Sequence, residues 1–412
     1  MKCLRTVGLV VEYNPLHNGH KYHYEQAKRQ TGASAAVAVM SGHFLQRGEP
    51  ALVNKWARTE MALRAGIDLV LELPFVYAAQ NAEQFAYGAV ATLHATGVVD
   101  SLCFGSESGD ISWMTPLAKS LVNETALFQR EIRQHLATGI SYPAAYGRAV
   151  EALFSALPDF KTAGNVTEPN NILGLNYCMA LARLQSSMKP ITIQRQKAGY
   201  HQEEITDARI ASATALRKIT MEEGSLDGIK PYVPASTLDV LQEEKQSGRF
   251  PMSWEAFYPH LQHQLMIRQP GELAEIYEMT EGLEHRIHRS ARTAGSFRAL
   301  MEAIKTKRYT WNRLQRLLLY TLFGLTREKM IRSGFRQGPA YIRVLGFSET
   351  GRELLKTMKD TCALPIISKV KKEKHPMLEF DLQAGAIYAL GYTAPVRQKE
   401  MQREYEQSPL RL

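Results

Sequence analysis

The chain has 412 residues, 50 Lys plus Arg against 41 Asp plus Glu, and a formal charge of +9. With 45% hydrophobic and 22% charged residues, its composition excludes wholesale disorder. At ~150 residues per domain, the length predicts roughly two to three domains, each able to bury a core. The four cysteines, Cys3, Cys103, Cys178 and Cys362, are far apart and form no CxxC, which argues against a disulfide scaffold or a cysteine zinc site. The first apolar stretch is too short for a signal peptide and runs into Glu12 and Asn14. No apolar run reaches the ~20 residues needed to span a bilayer, so a cytoplasmic protein is expected.

The first third alternates short apolar runs with amphipathic stretches. Val7–Val11 predicts a buried strand, and Lys21–Gln30 a helix ended by Thr31-Gly32. Ala35–Met40 and Leu69–Leu73 predict further strands, separated by a helix over Val53–Ala65. A helix around Glu83–His94 leads to a fourth strand at Ser101–Phe104. Helices are expected over Ile111–Leu157 and Ile172–Leu184, then a fifth strand at Ile191–Arg195 and a helix opening near Ser212. Apolar strands between helices predict an α/β fold with a doubly wound parallel sheet, which binds ligands at the carboxyl ends of its strands. Beyond Leu226 strand-like runs become scarce and charged helical stretches such as Arg313–Phe323 dominate. Gly224-Ser225, Pro231 and Pro234 mark a boundary, giving an expected catalytic domain over 1–228 and a mainly helical, basic region over 229–412.

The run Glu12-Tyr13-Asn14-Pro15-Leu16-His17-Asn18-Gly19-His20 directly follows the first strand. An HxGH tetrad at a strand-to-helix junction sets two imidazoles beside a helix amino end, where unpaired N–H groups and the dipole favour phosphate. His17 and His20 can donate hydrogen bonds to α-phosphate oxygens as charge grows in the transition state. A metal site of His17, His20 and His23 fits less well, because successive steps of three drift ~60° around a helix. The tetrad resembles the HxGH nucleotidylyltransferase superfamily, whose members attack the α-phosphate of a nucleoside triphosphate and release pyrophosphate.

Far downstream, Ile210-Ala211-Ser212-Ala213-Thr214-Ala215-Leu216-Arg217 places hydroxyls at a helix start, where they can hold phosphate oxygens. Arg217 follows to neutralise the β- and γ-phosphates and the leaving pyrophosphate. The loop Met40–Pro50 sits at the end of the second strand, well placed to line a pocket. On the helix after it, Lys55 and Arg58 read either as triphosphate or RNA contacts or as solvated charges. Asp68 and Glu72 flank the third strand and read chiefly as structural ion-pair partners, with Mg²⁺ as the other use. Charge is uneven: Glu281–Arg343 carries a net +10 while the rest is near neutral, which points to a polyanionic partner.

Taken together, VVEYNPLHNGH, MSGHFLQRGEPALVNKWARTEMAL, GIDLVLELP, FGSE (Phe104–Glu107), PNNILGLNY (Pro169–Tyr177) and SATALR resemble the bacterial tRNA(Met) cytidine acetate ligase family. EGLEHRI (Glu281–Ile287) and TKRYTWNRLQR (Thr306–Arg316) extend the likeness over nearly the whole chain. Leu16 stands where an aromatic residue is expected, a change that alters packing alone. The resemblance implies that acetate attacks the α-phosphate of ATP to give acetyl-adenylate and pyrophosphate. The N4 amine of the wobble cytidine (position 34) of elongator tRNA(Met) then takes the acetyl group, forming N4-acetylcytidine. It also implies ATP contacts at Val7, Gly8, Leu9, Val10, Val11, Glu12, Tyr13, Asn14, Pro15, Leu16, His17, Asn18, Gly19 and His20, and at Gly105, Asn170 and Arg195. Catalysis would then fall to His17, His20, Ser212, Thr214 and Arg217, with Mg²⁺ accompanying ATP. The partners implied are tRNA(Met) and acetate, and neither a membrane nor DNA.

An anticodon loop presents unstacked bases and phosphates, which positive charge interleaved with aromatics recognises. Lys307, Arg308, Arg313 and Arg316, set among Tyr309 and Trp311, supply that mixture, and Tyr341 and Arg343 add to it. A rival reading is a small-molecule nucleotidylyltransferase that joins AMP to a phosphorylated cofactor precursor, which leaves the basic block unexplained. A third is a non-catalytic RNA-binding protein, against which the intact HxGH and SATALR stand.

Overall fold

In the strand Ala35–Ser41, Ala35, Val37 and Val39 enter one buried layer while Ala36, Ala38 and Met40 enter the layer on the opposite face. A strand covered on both faces has to be apolar at every position, which is why these runs do not alternate. The computed structural model describes residues 4–122, 126–155, 168–195, 211–280, 282–370 and 375–412. Cys3, Leu157, Ile210 and Glu281 lie outside them.

Five parallel strands form the centre of an eight-stranded sheet: β1 (Thr6–Val11), β2 (Ala35–Ser41), β3 (Leu69–Leu73), β4 (Ser101–Ser106) and β5 (Lys189–Gln194). Their order is β5-β4-β1-β2-β3, so the chain winds outward from β1 in one direction and then returns to β1's other edge through β4. The crevice between β1 and β4 is thus the switch point at which such sheets bind ligands. Gly8 makes the close packing possible there, since a Cβ on it would lie 2.9 Å from both Leu93 and Val99.

The element types agree with the sequence reading, and local chemistry explains the shifted boundaries. The first helix spans Asn18–Thr31 because His17 caps it, three residues before the expected start. The second spans Lys55–Arg64 because Asn54 accepts the Ala57 N–H at 2.9 Å and ends the loop there. The stretch from Ile111 is three helices, Met114–Val122, Ala126–Ala137 and Tyr142–Ser155.

Beyond 228 the chain is mainly helical, as expected, but the sheet crosses that boundary. Strand β6 (Ile342–Phe347) pairs antiparallel with β3, and β7 (Ile366–Ile367) and β8 (Leu410–Arg411) pair with β6. The two halves also share a buried ion-pair cluster. Lys55 Nζ lies 2.7 Å from Glu72 and 2.8 Å from Glu404, and Arg343 lies 3.2 Å from Glu72 and 2.7 Å from Glu404. Lys55 and Arg58 are fully buried, which overturns both their triphosphate or RNA reading and their reading as solvated charges. Arg343 and Tyr341 are buried as well, so they leave the set of RNA-facing residues; Tyr341 donates its hydroxyl to Asp381 at 2.5 Å.

Candidate nucleotide-binding site at the β1/β4 crevice

The carboxyl end of β1 turns through Tyr13, a non-glycine residue at φ +48° buried to 3% exposure, and delivers His17 to the amino end of the helix Asn18–Thr31. His17 Nδ1 accepts the Gly19 N–H at 3.1 Å, and His20 Nδ1 accepts the His17 N–H at 3.4 Å. This is a capping box built from two imidazoles in place of the usual Ser and Glu. The rings stack with centroids 3.7 Å apart, and Tyr13 meets His20 edge-on at 5.1 Å.

The cap fixes the tautomer. A neutral imidazole has one donor and one acceptor nitrogen, so accepting at Nδ1 places the proton of each ring on Nε2. Burial pushes the pKa of His17 down to about 3, assisted by Arg195 and Arg217. Burial also pushes His20 well below its ordinary value, with His17, Arg195 and His23 adding to the effect. Both rings are therefore neutral Nε2–H donors at pH 7. The Gly19 N–H, which the sequence reading offers to phosphate, is occupied by His17; the imidazole N–H groups are the donors that remain.

A cavity of about 290 Å³ opens over these rings. Val10, Val11, Glu12, Tyr13, Asn14, Gly19, Gly105, Asn170, Arg195, Ser212, Thr214 and Arg217 line it together with His17 and His20. Elements distant in sequence thus converge as the motifs predict. Val7, Gly8, Leu9, Pro15, Leu16 and Asn18 are not at its wall; Val7, Leu9 and Leu16 are core residues at 0–1% exposure. Their part is to hold β1 and the loop in place.

Ser212, Arg217 and Asn170 of the wall are each oriented by a partner. Ser212 caps the helix Ala213–Glu223 by accepting the Ala215 N–H at 3.0 Å. Arg217 donates to the Asn14 carbonyl at 3.0 Å, lies 3.5 Å from Thr214 Oγ1 and pairs with Glu49 at 3.1 Å. Arg195 is exposed and has no ion pair among the described residues. A Cβ on Gly105 would lie 3.3 Å from Arg195 Cγ, so the glycine makes room for that side chain. Asn170 is buried and donates Nδ2–H to Glu107 Oε1 at 2.5 Å. The same carboxylate accepts the main-chain N–H of Asn170 at 3.1 Å and of Asn171 at 2.8 Å, capping the helix Pro169–Arg183.

The roles of two participants, Glu107 and Arg58, escaped the sequence reading, while Glu12 was expected as an ATP contact. Glu107 lies within FGSE, but its orienting role shows only when its helix is seen beside β4. Arg58 donates to the carbonyls of Glu12 (2.7 Å), Ser41 (3.0 Å), Val53 (3.2 Å) and Gly42, tying the carboxyl ends of β1 and β2 together beneath the cavity. Glu12 faces the cavity with Oε1 held by the Gln46 N–H at 2.7 Å and the Ser41 hydroxyl at 3.3 Å. Burial raises its pKa, although the Gln46 N–H opposes that. The Met40–Pro50 loop contributes Gln46, Arg47 and Glu49 to the wall.

The basic helices abut that loop. Gln315 Nε2 donates to the Arg47 carbonyl and Trp254 Nε1 to the Gly48 carbonyl, each at 3.0 Å. Gly48 packs so tightly that a Cβ would lie 2.8 Å from Arg316 Cα. Arg316 is therefore buried, at 9% exposure, and not available to RNA. Lys307 and Arg308 are exposed, and Arg313 lies over the Tyr309 ring at 4.9 Å.

Among the described residues no three His, Cys, Asp or Glu side chains are grouped to hold a metal ion. Of the two acids at the cavity, Glu49 is committed to Arg217. No helix among the described residues is long and apolar enough to cross a membrane.

Residues 4–404 match the HIGH Nucleotidyl Transferase family. The chain is 44% identical to the tRNA(Met) cytidine acetate ligase of Bacillus licheniformis and 40% identical to that of Bacillus subtilis, in each case over 99% of this chain and 97% of the relative. The crystal structure of Thermotoga maritima TmcAL superposes with a TM-score of 0.92 at 35% identity, covering 99% of this chain and all of that one. The same protein bound with alpha-thio ATP superposes at 0.89 and 34% identity, with the same coverage. The fold, the HxGH cap at the switch point and these full-length similarities agree: the chain belongs to the HIGH nucleotidyl transferases and, within them, to the tRNA(Met) cytidine acetate ligase family.

Proposed function

We propose that the protein is a cytoplasmic ATP-dependent ligase that activates acetate as acetyl-adenylate and transfers the acetyl group to N4 of the wobble cytidine of elongator tRNA(Met). The observation that carries this reading is the pair of neutral, capped imidazoles whose cavity is shared with Arg195 and Arg217. The α-phosphate lies against His17 and His20, whose Nε2–H groups stabilise the added negative charge of the transition state. Because the rings are neutral, they donate without neutralising the acetate nucleophile. The cationic charge comes from Arg195 and Arg217, with Ser212 and Thr214 beside the departing pyrophosphate. Asn170, fixed by Glu107, is positioned for the ribose or base.

Acetate oxygen attacks the α-phosphorus and the bond to the β-phosphate oxygen breaks, giving acetyl-adenylate and pyrophosphate. Activation is needed because an oxide is a poor leaving group from free acetate at neutral pH. The cytidine N4 amine next attacks the acetyl carbonyl, and AMP leaves with the amine's proton lost to the surroundings. No covalent enzyme intermediate is required. Mg²⁺ bound with the triphosphate would spread the charge of the departing pyrophosphate beside Arg195 and Arg217. The exposed Lys307 and Arg308, with the half-buried Arg313 beside them, are the cations for the RNA backbone, a role that disfavours a small-molecule adenylyl acceptor.

The test is pyrophosphate release from ATP with acetate, formate or propionate, with and without tRNA. Release that depends on acetate and persists without tRNA is expected. Silence with every carboxylate, with release on adding a phosphorylated metabolite, overturns the proposal.

A further inference from the structure

The helix Leu283–Ala291 buries Leu283, Ile287 and Ala291 at four-residue steps, which turns His285, Arg286 and Arg289 to the opposite face. These side chains form one wall of a cavity of about 580 Å³, and Ala303, Thr306 and Tyr309 form the other. Arg286 reaches across and donates Nη2–H to the Ala303 carbonyl at 2.8 Å. Arg289 is exposed, with no hydrogen-bond or ion-pair partner among the described residues. Thr306 Oγ1 is buried without a hydrogen-bond partner. Of the acids among the described residues here, Glu302 is held by Arg298 at 3.0 Å and Glu284 lies 3.9 Å from His285. Lys305, Lys307 and Arg308 extend the positive charge along the adjoining turn.

The cleft has the volume of a small-ligand site and two guanidinium groups, the side chain best matched to phosphate oxygens. It also stands on the same body as the HxGH cavity. Trp254 stacks on Phe297 of the helix Phe297–Ile304 at 4.4 Å while holding the Gly48 carbonyl of the loop that lines the cavity. RNA seated in the cleft is thereby referred to the reaction centre through packed side chains.

We propose that this cleft is a subsite for one unpaired nucleotide of the RNA substrate other than the reacting cytidine, with its phosphate on Arg286 and Arg289. The inference rests on the tRNA reading above and adds where that RNA is gripped. Cleft walls of mixed hydroxyl and aromatic character fit an unstacked nucleotide and are too irregular for a duplex.

Two variants test it. R286A/R289A removes the charge from exposed positions, and S290W fills the cleft without changing charge, since Ser290 lines it. Binding of tRNA is measured over a salt series, beside acetate-dependent ATP–pyrophosphate exchange. For R286A/R289A, affinity should fall at least about tenfold, and the dependence of log affinity on log salt should lessen by about one phosphate contact. S290W should weaken tRNA binding with the salt dependence unchanged, and exchange should stay at the wild-type level in both. Wild-type affinity and salt dependence in R286A/R289A overturn the subsite. So does weakening by R286A/R289A alone, which would mark diffuse attraction to the surface. If the wild-type protein shows no acetate-dependent exchange, the acetate ligase reading fails instead, an outcome distinct from either of these.

Discussion

Because His17 and His20 each accept a main-chain N–H at Nδ1, their own protons reside on Nε2. Replacing His20 with Ala removes half of the capping box and, in the mechanism proposed above, a donor to the α-phosphate. Acetate-dependent pyrophosphate exchange should fall about a hundred- to a thousandfold, the usual loss for one transition-state donor. His20→Asn, which keeps an N–H donor, should recover part of it. The lowered pKa values also set a pH dependence of stability. The unfolded chain protonates these histidines near pH 6.5, whereas the folded chain resists until about pH 3 for His17 and about pH 4 for His23. The unfolded state thus binds more protons in that window, so the melting temperature should fall as pH drops from 7.5 towards 4. A saturating nucleoside triphosphate should flatten the fall, because its negative charge favours the imidazolium form. A melting temperature independent of pH would contradict the buried, neutral assignment.

At the scale of elements, Arg58 and Lys55 determine whether the loops after β1 and β2 stand correctly. Removing the Arg58 guanidinium strands four main-chain carbonyls under the cavity, at a cost of about 3 kcal/mol or more. Lys at this position should not restore stability, because an ammonium cannot reach four carbonyls in a fixed fork. Lys55→Met leaves Glu72 and Glu404 with only one full cation between them, and should destabilise by about 3–5 kcal/mol in chemical denaturation. A loss below about 1 kcal/mol would show the pair to be hydrated in solution. Neither role is legible in NKWARTEMAL, because a buried cation and a solvated one look alike until their partners are known. The partner of Lys55 lies at Glu404, at the other end of the chain. The HxGH cap, by contrast, is entirely local, and its position after an apolar run marked a strand-to-helix junction, although the helix starts at Asn18 and not at the expected Lys21.

For the molecule as a whole, β6 covers the free edge of β3, and Glu404 completes the ion pairs of Lys55. A fragment of residues 1–228 would present an unpaired β3 edge and a Lys55–Glu72 pair stripped of Glu404 and Arg343. It should therefore fail to give a cooperative thermal transition, while the full chain melts cooperatively. A fragment that folds and still exchanges pyrophosphate would establish 1–228 as an autonomous domain. The same continuity places the basic helices against the loop of the nucleotide cavity, through Gln315 and Trp254.

By itself the sequence determined the parallel sheet, the motifs that meet at the β1/β4 cavity and the presence of a basic helical region. These follow from strand hydrophobicity and from motifs whose residues act within one or two turns of each other. Tertiary structure alone decided which charges face solvent. Arg316 and Arg343, counted with the RNA-facing block, are interior, while Arg286 and Arg289 line an open cleft. Burial and pairing of a charge depend on elements hundreds of residues apart, and no local pattern records them.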